Sequence, residues 1–304
     1  MSRIFDALKE ATRFRESAGA GEGVWKALIN GVEVTPGLDR VQAADAGSSP
    51  PRAGFVAEGG GVAVAEELLS PAAAPANRPL GILTKVGLDK NARLIRHGVD
   101  PVVVERYRML RTKIMQQREK IPCRSLVVTS ASPQEGKSVT VLNLAMSFAM
   151  LPSFRVLVVD GDMRRGTLGG WLGVDRNQPG LSNLIDGSAQ LEDVVLTSEE
   201  LPMHFVVSGN SQVPDLSSSH FTSHFRRMTE QFDLVLVDSP PANLVTDVQL
   251  LAANCDAVLL VARAFSTTRK AFEEAVHNLQ PFRVIGAVLN AGTAQRSSSY
   301  HGYY

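Results

Sequence analysis

Residues 125–138 read Ser-Leu-Val-Val-Thr-Ser-Ala-Ser-Pro-Gln-Glu-Gly-Lys-Ser. An apolar, β-branched run stops at a Ser-Pro break. After Lys137 the chain continues as Ser138-Val-Thr-Val-Leu-Asn-Leu-Ala-Met-Ser-Phe-Ala-Met150, whose apolar residues recur at helical spacing. Strand, loop and helix in this order are the setting in which Gly136-Lys137-Ser138 works as a phosphate-binding loop. Backbone N–H groups and the helix N-terminus would wrap phosphates. Lys137 would reach the β- and γ-phosphates, and the Ser138 hydroxyl would take Mg²⁺. The candidate nucleotide-binding residues are Pro133, Gln134, Glu135, Gly136, Lys137, Ser138 and Val139. The usual first glycine of such a loop is here Ala131.

Outward from this stretch, the same grammar repeats. Val156-Leu-Val-Val-Asp160-Gly-Asp162 and Leu234-Val-Leu-Val-Asp238-Ser-Pro-Pro241 are apolar strands that finish in carboxylates. Strands ending in Asp are how such folds hold a hydrated Mg²⁺. Asp162 and Asp238 are therefore candidate metal residues with Ser138, and Asp160 or Asp162 is placed to accept a proton. Further strands are expected at 205–208, 257–262 and 285–290, and helices at 103–117, 138–150, 219–231 and 268–280. Near-continuous Val/Leu/Ile runs alternating with helices predict a doubly wound, mostly parallel α/β sheet of the P-loop NTPase fold, with ligands at the strands' carboxyl ends.

The flanks have a different character. Residues 2–16 carry an apolar stripe of Ile4, Leu8 and Ala11 and predict a short helix, a candidate for docking the activator named below. Across 41–80, 24 of 40 residues are Ala, Gly, Pro or Ser, a composition too poor in apolar burial to offset chain entropy. The expected organisation is a helical docking segment over 1–29, a flexible linker over 30–95, a P-loop domain over 96–292 and a polar tail over 293–304. The chain holds four tyrosines, and Tyr300, Tyr303 and Tyr304 lie among its last five residues.

Composition narrows the function. Lys and Arg number 31, Asp and Glu 31, and the formal net charge is zero, against a broadly basic nucleic-acid surface. The two cysteines, Cys123 and Cys255, form neither a C-x-x-C pair nor a metal spacing. No apolar run spans a bilayer, and Arg3, Asp6, Lys9 and Glu10 exclude a secretory signal. A cytoplasmic nucleotide-binding protein is expected.

Over roughly residues 100–304 the sequence resembles bacterial tyrosine kinases of the capsule and exopolysaccharide type. The shared features are Pro133-x-Glu-Gly-Lys-Ser138, Asp160-x-Asp162-x-Arg164-Arg165, Val237-Asp-Ser-Pro-Pro241, Val288-Leu-Asn290 and the terminal tyrosine cluster. The opening Met-Ser-Arg-Ile-Phe-Asp-Ala-Leu-Lys-Glu-Ala is similar to the start of autokinases encoded with exopolysaccharide loci. The resemblance implies an ATP- and Mg²⁺-dependent kinase with Lys137, Asp160 and Asp162 as catalytic residues, Asp160 favoured as base, and Asn290 near the adenine. It implies Tyr300, Tyr303 and Tyr304 as phosphoacceptors. Glu105, Arg108 and Arg111 would pair domains into a ring homo-oligomer that phosphorylates in trans. Ten residues from Asn290 to Tyr300 reach at most ~33–36 Å, enough for the chain's own site or a neighbour's. The family also implies a separate membrane-embedded activator, which would hold the kinase at the inner membrane, and a cognate tyrosine phosphatase.

Two other readings share the fold. A chromosome-partition or division-site switch ATPase would carry a lysine five residues before Lys137, where this chain has Ser132. A nucleotide-binding regulator without kinase activity would use the tail only as a docking peptide.

Overall fold

In a computed structural model of the chain, the structure describes residues 81–83, 100–198, 203–211, 216 and 219–291. The helix expected over 2–16, most of the linker stretch, and the tail with Tyr300, Tyr303 and Tyr304 lie outside the described residues. Helix α1 (Pro101–Lys120) starts where Asp100 accepts from the Val102 N–H at 2.9 Å, with Pro101 in the first turn, where its missing N–H removes no helical bond. Tyr107, Leu110 and Ile114 recur at helical spacing and form its buried face.

After α1 come β2 (Ser125–Ser130), α2 (Lys137–Ala149) and β3 (Val156–Asp160). Three short helices follow, α3 (Thr167–Trp171), α4 (Leu181–Ile185) and α5 (Leu191–Val194), then β4 (Leu196–Ser198) and β5 (His204–Val206). The chain continues through α6 (Ser219–Gln231), β6 (Leu234–Asp238), α7 (Asp247–Asn254), β7 (Ala257–Arg263), α8 (Arg269–Asn278) and β8 (Val284–Asn290). With β1 (Gly81–Leu83) these strands form an eight-stranded sheet in the order β1-β4-β5-β3-β6-β2-β7-β8. Every pairing is parallel except β4 with β5.

Every residue of β2, β3 and β6 is buried. Alternate residues feed two separate cores, as a pleat with both faces covered requires. Leu126, Val128, Val156, Val158, Leu234 and Leu236 pack with Leu110 and Ile114 of α1 and Leu144 and Phe148 of α2. Val127, Leu157, Val159, Val235 and Val237 pack with Leu184 of α4, Phe221 and Phe225 of α6, Leu251 of α7 and Ala275 of α8. The crossover helices thus lie against both faces, and the carboxyl ends of β3, β6 and β2 open side by side.

The structure differs from the sequence expectation mainly in short elements. α1 begins at Pro101 and extends to Lys120, β5 ends at Val206, and α8 ends at Asn278. β1 falls inside the stretch read as linker and pairs in parallel with β4, so the sheet reaches upstream of residue 96. A strand of three residues, Gly81-Ile82-Leu83, is too short to show a period.

Candidate active site

β3 and β6 are registered so that Asp160 stands directly across from Asp238, and β6 also pairs with β2, which leads into the phosphate loop. Gly161 permits the close approach beyond them. Its N–H donates to the Asp238 carbonyl at 2.7 Å, and a Cβ there would lie 2.8 Å from the same oxygen. The loop enters α2 through Gly136 at φ 94, a left-handed conformation that suits glycine. Lys137 is the first residue of α2, so its side chain folds back across the loop. Its Nζ lies 3.4 Å from Asp162 Oδ2 and 3.9 Å from Asp238 Oδ1, with all three side chains buried.

The carboxylates are short of donors. Asp160 and Asp238 are fully buried. Asp160 Oδ2 accepts from the Leu168 N–H at 3.0 Å and Asp160 Oδ1 has no hydrogen-bond partner, whereas Asp238 has only the Ser138 hydroxyl and the Lys137 ammonium beside it, neither in a close hydrogen bond. Burial first, and then the Asp238 carboxylate opposite, holds the Asp160 carboxyl well above the usual range. Burial likewise pushes Asp238 up to about 6, although Lys137 and the Ser138 hydroxyl pull it down. Buried carboxylate oxygens short of donors beside Lys137 and Ser138 fit a hydrated divalent cation, since Mg²⁺ takes one or two carboxylates, keeps waters and shares phosphate oxygens. Among the described residues, no three His, Cys, Asp or Glu side chains converge into a ready-made metal cage. The fit is to a cation that arrives with phosphate.

The far side of the loop is braced by residues distant in sequence. Glu135 is buried, its Oε2 accepting from the Ser132 N–H at 3.2 Å and its Oε1 from the Thr267 hydroxyl at 2.5 Å. Burial raises its carboxyl above the ordinary value, against these hydrogen bonds. Arg263 donates to the Gln134 carbonyl at 3.0 Å, and Asn290 Nδ2 to the Glu135 carbonyl at 3.0 Å. Asn290, expected beside the base, therefore places one donor on the loop itself. Arg263 and Thr267 were absent from the sequence reading. Their only signal was their place at and just after the carboxyl end of another strand.

The structure brings Lys137, Ser138, Asp160, Asp162, Asp238 and Asn290 to one end of the sheet. Arg164 pairs with Asp247 of α7 at 3.0 Å, and Arg165 is exposed. Glu105, Arg108 and Arg111 stand apart on α1. Glu105 and Arg108 form a half-exposed pair at 3.5 Å, whereas Arg111 turns inward to donate to the Ser147 carbonyl at 2.5 Å. With Met109, Met150 and Leu151 they line an open groove of about 650 Å³.

Residues 134–282 match the AAA domain family. The chain is 30% identical over 192 residues to the tyrosine-protein kinase CpsD of Streptococcus pneumoniae serotype 4, covering 61% of this chain and 83% of the relative. It is 32% identical over 205 residues to the tyrosine-protein kinase ptk of Acinetobacter johnsonii, covering 66% of this chain but only 27% of that longer protein. The kinase domain of the Escherichia coli tyrosine kinase ETK superposes with a TM-score of 0.58 at 29% identity, covering 74% of this chain and 93% of that one.

Proposed function

Because the chain belongs to the bacterial P-loop tyrosine kinases of the capsule and exopolysaccharide type, we propose that it transfers the γ-phosphoryl of ATP to its own tyrosines Tyr300, Tyr303 and Tyr304. The observation that carries this reading is Lys137 held between Asp162 and Asp238 beside the unpartnered Oδ1 of Asp160. Phosphoryl transfer depends on positioning and charge neutralisation more than on covalent chemistry. Lys137 would neutralise the β- and γ-phosphates, and Ser138 with Asp238 and Asp162 would hold the metal directly or through water. When bound, Mg²⁺ supplies the further positive charge that favours the ionised carboxylates.

The tyrosine phenol has an ordinary pKa of about 10, so its proton needs an acceptor. Each carboxylate has one oxygen engaged, Asp162 Oδ2 by Lys137 and Asp160 Oδ2 by the Leu168 N–H, and the family resemblance favours Asp160, whose Oδ1 has no partner. Asp160 would serve as the base in its ionised form, which burial and Asp238 oppose and which Lys137, and Mg²⁺ when bound, favour. The phenolic oxygen bonds to the γ-phosphorus, the bond to the ADP oxygen breaks, and the phenol proton passes to Asp160.

Transfer in trans, between neighbours in a ring joined through the Glu105–Arg108 face, is the expected arrangement. No described helix is long and apolar enough to cross a membrane. A separate membrane-embedded activator would hold the protein at the inner membrane, and a tyrosine phosphatase would reset the tail. Three phosphotyrosines add ~4.5–6 negative charges to a chain of zero net charge, enough to repel adjacent tails and loosen the ring. That cycle would regulate polysaccharide synthesis or export.

The test is phosphotyrosine mass spectrometry after incubation with ATP and Mg²⁺, together with the activator. Wild type should be modified at 300–304, and Lys137→Met should not. Lys137→Met mixed with an active chain lacking residues 300–304 should become modified. Modification of Lys137→Met alone, or ATP turnover without tail phosphotyrosine, refutes the proposal.

A further inference from the structure

Phe265 stands in the connection between β7 and α8, 70% exposed, with its backbone at φ 62. A bulky side chain rarely takes this left-handed conformation, and strain of this kind persists where surroundings over-determine it, often at ligand clamps. The ring belongs to neither core. Its surroundings are the phosphate loop. Arg263 donates to the Gln134 carbonyl at 3.0 Å, and the Thr267 hydroxyl bonds Glu135 at 2.5 Å while accepting from the Arg263 N–H at 2.7 Å. The Ala264 N–H donates to the Asn290 carbonyl at 2.8 Å. The residues on both sides of Phe265 are thus tied to the loop or to the end of β8, which fixes the backbone from which the aromatic group projects.

The direction of a bound nucleotide follows from Lys137. A P-loop lysine meets the terminal phosphates, and this one points to Asp162 and Asp238, at the ends of β3 and β6. In the sheet, β6 lies on one side of β2, with β7 and β8 on the other. The terminal phosphates therefore occupy the β6 side of the loop, and the nucleoside trails toward β7 and β8, where Arg263, Phe265 and Asn290 stand.

We propose that Phe265 is the stacking platform for the purine base, held in place by the ties of Arg263 and Thr267 to the phosphate loop. Every base offers a π-face, and an exposed ring on a backbone tied to the loop matches it. This inference rests on the nucleotide-binding reading above, and its test separates the two. Binding of Mg²⁺–ADP and of magnesium tripolyphosphate, which lacks base and sugar, is measured by calorimetry on the full chain. Phe265→Ala should weaken ADP binding roughly 5- to 100-fold. It should leave tripolyphosphate binding unchanged, and Phe265→Trp should restore ADP. Phe265→Gly, which is free of strain at this φ, should match Phe265→Ala and melt no lower than wild type. Unchanged ADP affinity in the Ala and Gly variants overturns the platform. So does a parallel loss of tripolyphosphate, or a change of oligomeric mass with ADP affinity intact, which assigns the ring to a second copy. A wild-type chain that binds neither ligand overturns the nucleotide-binding reading, and this inference with it.

Discussion

Asp238 makes the site destabilising until it is filled, and Asp238→Asn measures by how much. The carboxyl rises from an ordinary 3.8 to about 6 on folding because it is fully buried. Between those values the folded chain keeps a proton that the unfolded chain has lost. The folded state then binds more protons, so stability falls as pH rises through this window and stays reduced above about 6. At 1.36 kcal/mol per pH unit the loss is on the order of 3 kcal/mol. Lys137 is already counted in that value, since it pulls Asp238 downward. Asn is isosteric and does not titrate, so any fixed cost of its amide cancels from the pH dependence. Urea unfolding without nucleotide, in EDTA, should show the Asn variant gaining about 3 kcal/mol on wild type between pH about 4 and about 7.5. Coupling to Asp160, whose carboxyl the Asp238 charge also raises, acts in the same direction. Mg²⁺–ADP should reverse the order at neutral pH, because the Asn variant keeps Asp162 but loses the second carboxylate that would hold the metal. Parallel pH profiles for the two chains would refute the reasoning.

Two further outcomes follow from the loop. Gly136→Ala places a Cβ 1.8 Å from Asn290 Nδ2 at φ 94, so the Asn290 side chain must leave the Glu135 carbonyl and the loop must hold a non-glycine residue in a left-handed conformation. The variant should lose about 1–3 kcal/mol in urea unfolding and most of its ADP affinity by calorimetry. Thr267→Val removes a hydroxyl that bonds Glu135 Oε1 at 2.5 Å and accepts from the Arg263 N–H at 2.7 Å, leaving a buried carboxyl short of a partner. It should cost about 1–3 kcal/mol and weaken tripolyphosphate binding, with Thr267→Ser restoring both.

The order of the central elements is legible because each fully buried strand carries its identity in a run of four or five residues. Leu234-Val-Leu-Val has few other places to go than a strand covered on both faces, and the structure buries every residue of it. β1 and β4, each three residues long, carry no such information. Nothing in Gly81-Ile82-Leu83 distinguishes it from linker until Leu196–Ser198 offers a partner edge. α3, α4 and α5 are four or five residues each, too short to show a helical period, and their places are set by contacts with the sheet.

The site divides along the same line. Lys137, Ser138, Asp160, Asp162 and Asp238 could be read because a strand end or helix start fixes each, and because the chemistry requires those side chains. The braces could not, because each joins residues far apart: 129 positions for Arg263 to Gln134, 132 for Thr267 to Glu135 and 155 for Asn290 to Glu135. Yet the sequence held a sign that such braces were needed. Ala131 replaces the loop's usual first glycine, and Gln134 takes φ 62, outside the region a non-glycine residue prefers. Gly136 and the Glu135–Ser132 hydrogen bond supply only part of the loop's curvature. The rest is held from the ends of β7 and β8, and Phe265 on that same brace also stands at positive φ. A loop held from outside keeps its N–H groups aimed before phosphate arrives, so less ordering remains to be done on binding. The buried carboxylates opposite, three around one lysine, carry the electrostatic half of the same preparation. Stability is given up on both flanks of Lys137, and the bound Mg²⁺–nucleotide is what returns it.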